Sequence, residues 1–170
     1  MALILSGTNG LSDVDGSAST PAIRGTDTNT GIFFPGNDRI GFAEGGVQVG
    51  EFDASGNFQF NSGYGSTAIA YGCRAWVNFS GTGTVTIRAS GNVTSITDNG
   101  TGNYLINLTT ALPDSNASVT IGLGADSGST GTGAWASRIN SISTTIIQIL
   151  SARPDGSYSD ASIACVAVHR

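Results

Sequence analysis

Few residues in this 170-residue chain are of types that do chemistry. The single histidine, His169, lies next to the last residue, and no Gly-x-Ser-x-Gly elbow occurs, so a Ser-His-Asp triad lacks both an ordered base and a nucleophile. Glycoside cleavage needs two acids held about 5–10 Å apart. The acids of the last hundred residues are Asp98, Asp114, Asp126, Asp155 and Asp160. All fall in turn signals, where Asp serves local backbone hydrogen bonds. A surface-polysaccharide hydrolase would need a pair such as Asp98 and Asp126. Asp13-Val14-Asp15-Gly16 opens like a calcium loop, but Arg24 stands where the bidentate Glu belongs, so it reads as a turn. Gly122-Leu123-Gly124 and the glycines of 128–133 have no Lys and no following helix, which excludes a phosphate cradle. Cys73 and Cys165 lie too far apart in sequence for a zinc motif. They read as two buried, small apolar side chains, with a single disulfide as the other possibility. No cofactor and no metal are expected, and the chain reads as a protein that is not an enzyme. What remains is recognition: Tyr64, Trp135 and Tyr158 lie in or near loops and could stack on sugars, while Trp76 and Trp135 also suit core or interface anchors.

The elements that must carry these residues are strands. Charged residues are 11% of the chain, glycines number 25, and all seven basic residues are Arg. Helix formers such as Glu, Lys, Met and Gln are scarce, which argues against a helical bundle. A hydrophobic share of 39% is too high for a disordered chain. No apolar run approaches membrane length, and the start lacks a basic n-region, so neither membrane insertion nor a signal peptide is expected. A net charge of −5 with scattered Arg makes a poor nucleic-acid binder.

The chain falls into zones. Residues 1–26 read as an extended attachment arm whose apolar patch is Leu3, Ile4 and Leu5. Residues 27–62 read as a short intertwined β segment, strands of about four residues joined by tight turns. Six of the seven phenylalanines lie here: Phe33, Phe34, Phe42, Phe52, Phe58 and Phe60. So short a segment, with no cysteine or metal cluster, cannot shelter them alone. Association of three or more copies around a common axis buries them, and docking on the C-terminal domain is the competing solution. Residues 63–70 read as a linker. Residues 71–170 carry about eight strand-length segments with turn signals between them, which indicates a β-sandwich of jelly-roll type. The expected strands are Gly72–Phe79, Thr84–Ser90, Val93–Asp98, Tyr104–Thr109, Ser118–Gly122, Ala134–Ser141, Thr144–Ala152 and Ser162–Val168.

The stretch from Gly25-Thr26-Asp27-Thr28-Asn29-Thr30-Gly31-Ile32 to Arg39-Ile40-Gly41-Phe42 resembles a repeat of tailed-phage fibre and appendage proteins. Gly45-Gly46-Val47 and Asp53-Ala54-Ser55-Gly56-Asn57 match the strand and turn that follow it. Ala75-Trp76-Val77-Asn78-Phe79 and Ser95-Ile96-Thr97-Asp98-Asn99-Gly100-Thr101-Gly102 resemble the C-terminal domain that often ends such proteins. The resemblance implies a virion structural protein, a homotrimeric fibre with the six phenylalanines at its interface. The arm with Leu3, Ile4 and Leu5 would fix it to tail, baseplate or capsid proteins. The knob would face outward on the virion surface and meet host-surface glycans through Tyr64, Trp135 and Tyr158. The alternative is a capsid decoration, cement or baseplate protein with no receptor role. Either would assemble in the host cytoplasm.

Overall fold

The structure, a computed structural model, describes residues 4–6, 10–12, 14–63, 66–124, 135–153 and 155–170. Within them the protein is all-β, with every strand pair antiparallel. It divides into two compact units, Met1–Ala70 and Tyr71–Arg170.

In the N-terminal unit, β1 (Ile4–Ser6) and β2 (Gly10–Ser12) pair as a hairpin. The main sheet runs β3 (Ile23–Arg24), β4 (Gly31–Phe33), β5 (Ile40–Glu44), β6 (Val47–Phe52), β7 (Phe58–Phe60) and β8 (Ala68–Ile69), paired in chain order. The segment expected to intertwine with its copies thus completes its backbone ladder as a meander, and what it leaves open is a face. β3 lies within the stretch read as an arm and β8 within the stretch read as a linker; both are two-residue edges, too short to invite further pairing. The β5–β6 turn is Gly45-Gly46, both at positive φ (58° and 81°), the left-handed pair that a two-residue hairpin needs. The β6–β7 turn is tied by Asp53, whose Oδ1 accepts the Ser55 and Asn57 backbone N–H at 2.9 Å each and whose Oδ2 accepts Gln59 Nε2 at 2.7 Å.

Those bonds, the Asn57 N–H first and the Gln59 amide next, hold the Asp53 carboxyl down at about 2. The folded state therefore resists protonation that the unfolded state accepts near the ordinary value of 3.8. The stabilisation is complete above 3.8 and disappears as the pH falls through about 2. Melting curves across that window should fall steeply for the wild type and less steeply for Asp53→Asn.

The C-terminal unit has two four-stranded sheets. One is β10-β9-β16-β13, from β9 (Cys73–Ser80), β10 (Thr86–Gly91), β13 (Ser118–Gly124) and β16 (Ile163–His169). The other is β11-β12-β15-β14, from β11 (Val93–Asp98), β12 (Asn103–Leu108), β14 (Ala136–Ile142) and β15 (Ile146–Ala152). Alternation on β9, β12, β16 and the first half of β15 sends Ala75, Val77, Phe79, Tyr104, Ile106, Ile147, Ile149, Val166 and Val168 into one shared core. Consecutive strands β9–β10, β11–β12 and β14–β15 are hairpins inside a sheet, where a jelly roll alternates them between sheets, because turns of five, four and three residues keep successive strands adjacent. Asn92 alone links β10 to β11. It sits at φ 57°, a region Asn tolerates better than most residues, and its side chain bonds Arg74 O, Thr110 O and the Thr110 N–H.

One end of this core is polar. Tyr104 Oη donates to Asp160 Oδ1 at 2.7 Å, and the Gly102 N–H donates to the same oxygen at 2.7 Å. Burial first, then the Asp160 hydrogen bond, pushes the Tyr104 hydroxyl above its ordinary value, so it stays a donor. At the other end Arg170 clasps Asp114 with two bonds of 2.8 and 2.5 Å.

Cys73 and Cys165 are free and exposed, not buried as expected. Cys165 falls on the outward parity of β16, and Cys73 lies at the exposed start of β9, beyond a register shift that precedes Ala75. Cys73 pairs with His169 and Cys165 with Asn78, which sets the thiols about five residues apart along neighbouring strands, too far for a disulfide.

Candidate functional site

Register decides which side chains share a face of the β3–β8 sheet. Ile23 pairs with Ile32, Ile32 with Phe42, Phe42 with Gly50, Ile40 with Phe52, and Phe52 with Phe58. Directly paired residues point the same way, so one face presents Ile23, Ile32, Ile40, Phe42, Phe52, Phe58 and Phe60, with Glu44 of β5 at its end. The rings form a ladder: Phe42 to Phe52 at 6.3 Å, Phe52 to Phe58 at 5.3 Å, Phe58 to Phe60 at 6.1 Å between centroids. Such ring pairs add to area burial and hold one another in place. Yet Phe52 remains 43% exposed and Phe58 and Phe60 42% each. Phe34 is also exposed and borders an open recess with Ile40 and Phe52.

The opposite face is different. Phe33 is 4% exposed and lies over Gly41, where an added Cβ would come within 2.7 Å of its ring. The same side holds Glu51, 4% exposed, whose Oε2 accepts Arg39 Nε at 3.1 Å and Nη2 at 2.5 Å. A buried carboxylate needs such a partner, so this face is closed around Phe33, Gly41 and Glu51. Of the six phenylalanines expected together, five gather at the open face and Phe33 does not. Ile23, Ile32 and Ile40 join them, and the signal that could have found Ile40 is its alternation with Phe42 across Gly41.

Two of the three candidates for sugar contact lie among the described residues. Tyr64 lies outside the described residues. Trp135 is half-buried just before β14. Tyr158 is exposed and its hydroxyl stands 3.5 Å from Arg138 Nη2, in a recess of about 210 Å³ with Ser137, Leu150 and Gly156. Of the arm residues, Leu3 lies outside the described residues, and Ile4 and Leu5 belong to β1. Among the acids, Asp126 lies outside the described residues. Asp98 caps its own turn through the Gly100 N–H, Asp155 does the same through Ser157, Asp114 holds Arg170 and Asp160 holds Tyr104. Trp76 stands out on the surface at 44% exposure, on the outward parity of β9, where size alone suggested an anchor.

No family model and no curated protein matches the chain. Among solved structures it is similar to the phiAB6 tailspike, in complex with three-repeated oligosaccharides of Acinetobacter baumannii surface polysaccharide. The identity is 10% and the TM-score 0.44, over 91% of this chain and 38% of that one. The chain thus spans less than two fifths of that tailspike's length, and the likeness assigns no residue here a role.

Proposed function

We propose that this protein is a virion structural protein, a subunit of a homotrimeric phage tail fibre or short appendage. Its copies associate through the apolar face of the β3–β8 sheet, and its C-terminal unit meets host-surface glycans by binding rather than by catalysis. The observation that carries the reading is that face: a ladder of phenylalanines, complete in its own backbone bonds, with three rings more than two-fifths exposed. Contiguous apolar surface of this kind marks an association site. Three faces closed around an axis place every ladder in one shared core. The order of the phage-like motifs, from Gly25 to Phe42 and then from Ala75 to Gly102, supports the appendage assignment. In this reading residues 1–26 attach the trimer to the particle. Three identical C-terminal units at one tip raise the avidity of weak sugar contacts by about 10²–10⁴ where geometry allows simultaneous engagement.

Native mass spectrometry at micromolar concentration tests the assembly. A trimer is expected, and a stable monomer overturns the reading.

A further inference from the structure

The outer face of the β10-β9-β16-β13 sheet holds an arrangement that neither the phenylalanine face nor the Tyr158 recess uses. Trp76 rises from the middle of β9 because its neighbours Ala75 and Val77 fill the core. Register puts Gly91 on one side of it and Ala167 on the other, with Thr120 beyond. The next row is Ala89, Asn78, Cys165 and Gly122. One large ring thus lies among side chains that leave a flat space around it. Gly91 lets the indole lie down: a Cβ there would sit 2.5 Å from Nε1 and 2.9 Å from Cδ1. Any larger residue would push the ring off the β10 backbone.

The polar groups beside the ring are arranged as well. Arg88, the extra residue of a bulge in β10, donates to Asn78 Oδ1 at 3.2 Å and to the carbonyls of Phe79 and Ser162 at 3.3 and 2.6 Å. A guanidinium only donates, so it fixes the Asn78 amide by its oxygen and leaves the Nδ2 hydrogens as donors beside Trp76. Arg74, the extra residue of a bulge in β9, is exposed two residues before Trp76. The four strands of this sheet contain Arg74, Arg88 and His169 and not one of the chain's 12 acidic residues. In a chain of net charge −5 this is a segregated positive surface.

The geometry points to a binding site for a carboxylate-bearing saccharide on this face. The apolar side of the sugar ring stacks on Trp76, the Asn78 amide donates to a ring hydroxyl, and Arg74 pairs with the carboxylate in the field that Arg88 reinforces. An indole supplies the stacking surface, and small flanking residues let a flat ligand approach without clash. The inference rests on the glycan-binding reading above and goes further by naming the face and the charge class.

The test applies the full chain to an array of uronic- and sialic-acid oligosaccharides beside their carboxyl-reduced counterparts. The wild type should be retained on the acidic members and far less on the reduced ones. Trp76→Ala should lose about tenfold or more of that retention, Trp76→Phe should keep most of it, and Arg74→Gln should narrow the gap between acidic and reduced members. Circular dichroism and native mass spectrometry of each variant should match the wild type. Retention unchanged in Trp76→Ala overturns this site and leaves the glycan reading standing. Equal retention on acidic and reduced members overturns the charge class. Absence of retention on every member overturns the site and the glycan reading together. Dissociation of the assembly by Trp76→Ala makes the face a subunit interface and likewise overturns the proposal.

Discussion

Replacing Phe52 and Phe58 together by Ser should turn the proposed trimer into monomers at micromolar concentration, while the same change at Ile69 should leave it assembled. Phe52, Phe58 and Phe60 are each a little over two-fifths exposed in the single chain. Full burial of a Phe contributes about 1.5–3 kcal/mol, so covering the remaining surface contributes about 0.6–1.2 kcal/mol per ring. Two rings removed from each of three copies then cost the assembly about 4–7 kcal/mol, or about three to five powers of ten in its association constant. Ser at these exposed positions leaves the unit's own closed side, Phe33 over Gly41 and Glu51 with Arg39, untouched. Ile69 is comparably exposed but pairs with Gln59, on the other face. The contrast therefore separates a loss of face-to-face packing from a general loss of surface hydrophobicity. Native mass spectrometry of the three proteins decides it, and a trimer that survives the double substitution shows that the ladder is not the interface.

The strands of the C-terminal unit were legible because turn chemistry and alternation agreed. Val93–Asp98 was expected at the bounds β11 has, between Asn92 and the Asp98–Gly102 turn, and the other seven lie within two residues of their expected ends. What the sequence hid was parity. Trp76 and Cys165 each sit between two small or apolar residues, so hydrophobicity alone could not say which neighbour faced the core. Phe33 and Phe34 are adjacent, and adjacent residues of an extended chain point to opposite faces. That rule was available and would have sent one of them away from the ladder. The join of Ile23 and Ile32 to the open face could not be seen, because it depends on the register of a two-residue strand, too short to show a period. The site candidates suffered in the same way: a loop location for Tyr158 was readable, but its meeting with Arg138 of β14 depends on pairing across 20 residues.

Gly102→Ala should be the most damaging single methyl in the C-terminal unit. Gly102 has φ +66°, where an L side chain is strained. It is also gripped on both sides, its N–H by Asp160 Oδ1 at 2.7 Å and its carbonyl by the Ser151 N–H at 2.8 Å. A Cβ there would lie 2.3 Å from Ser151 O, 2.9 Å from Ser159 N and 3.1 Å from Ser159 O. All three are backbone atoms, so no side chain can rotate to make room; β15 or the segment after it must move. Movement there pulls on Asp160 and through it on the Tyr104 hydroxyl at the end of the core. The expected cost is about 3–5 kcal/mol, a large part of the 5–15 kcal/mol that a domain typically has. For a unit of this size that lowers the melting temperature by roughly 12 °C or more. Gly72→Ala is the control: it has ordinary φ, and nothing lies within 4 Å of the added carbon. It should change stability by less than about 0.5 kcal/mol. Tyr104→Phe should fall between the two, at about 1–3 kcal/mol, because it takes a donor from Asp160 and from the Gly81 carbonyl without moving the backbone. If Gly102→Ala melts with Gly72→Ala, the polar end of the core is not the rigid clasp that these distances describe.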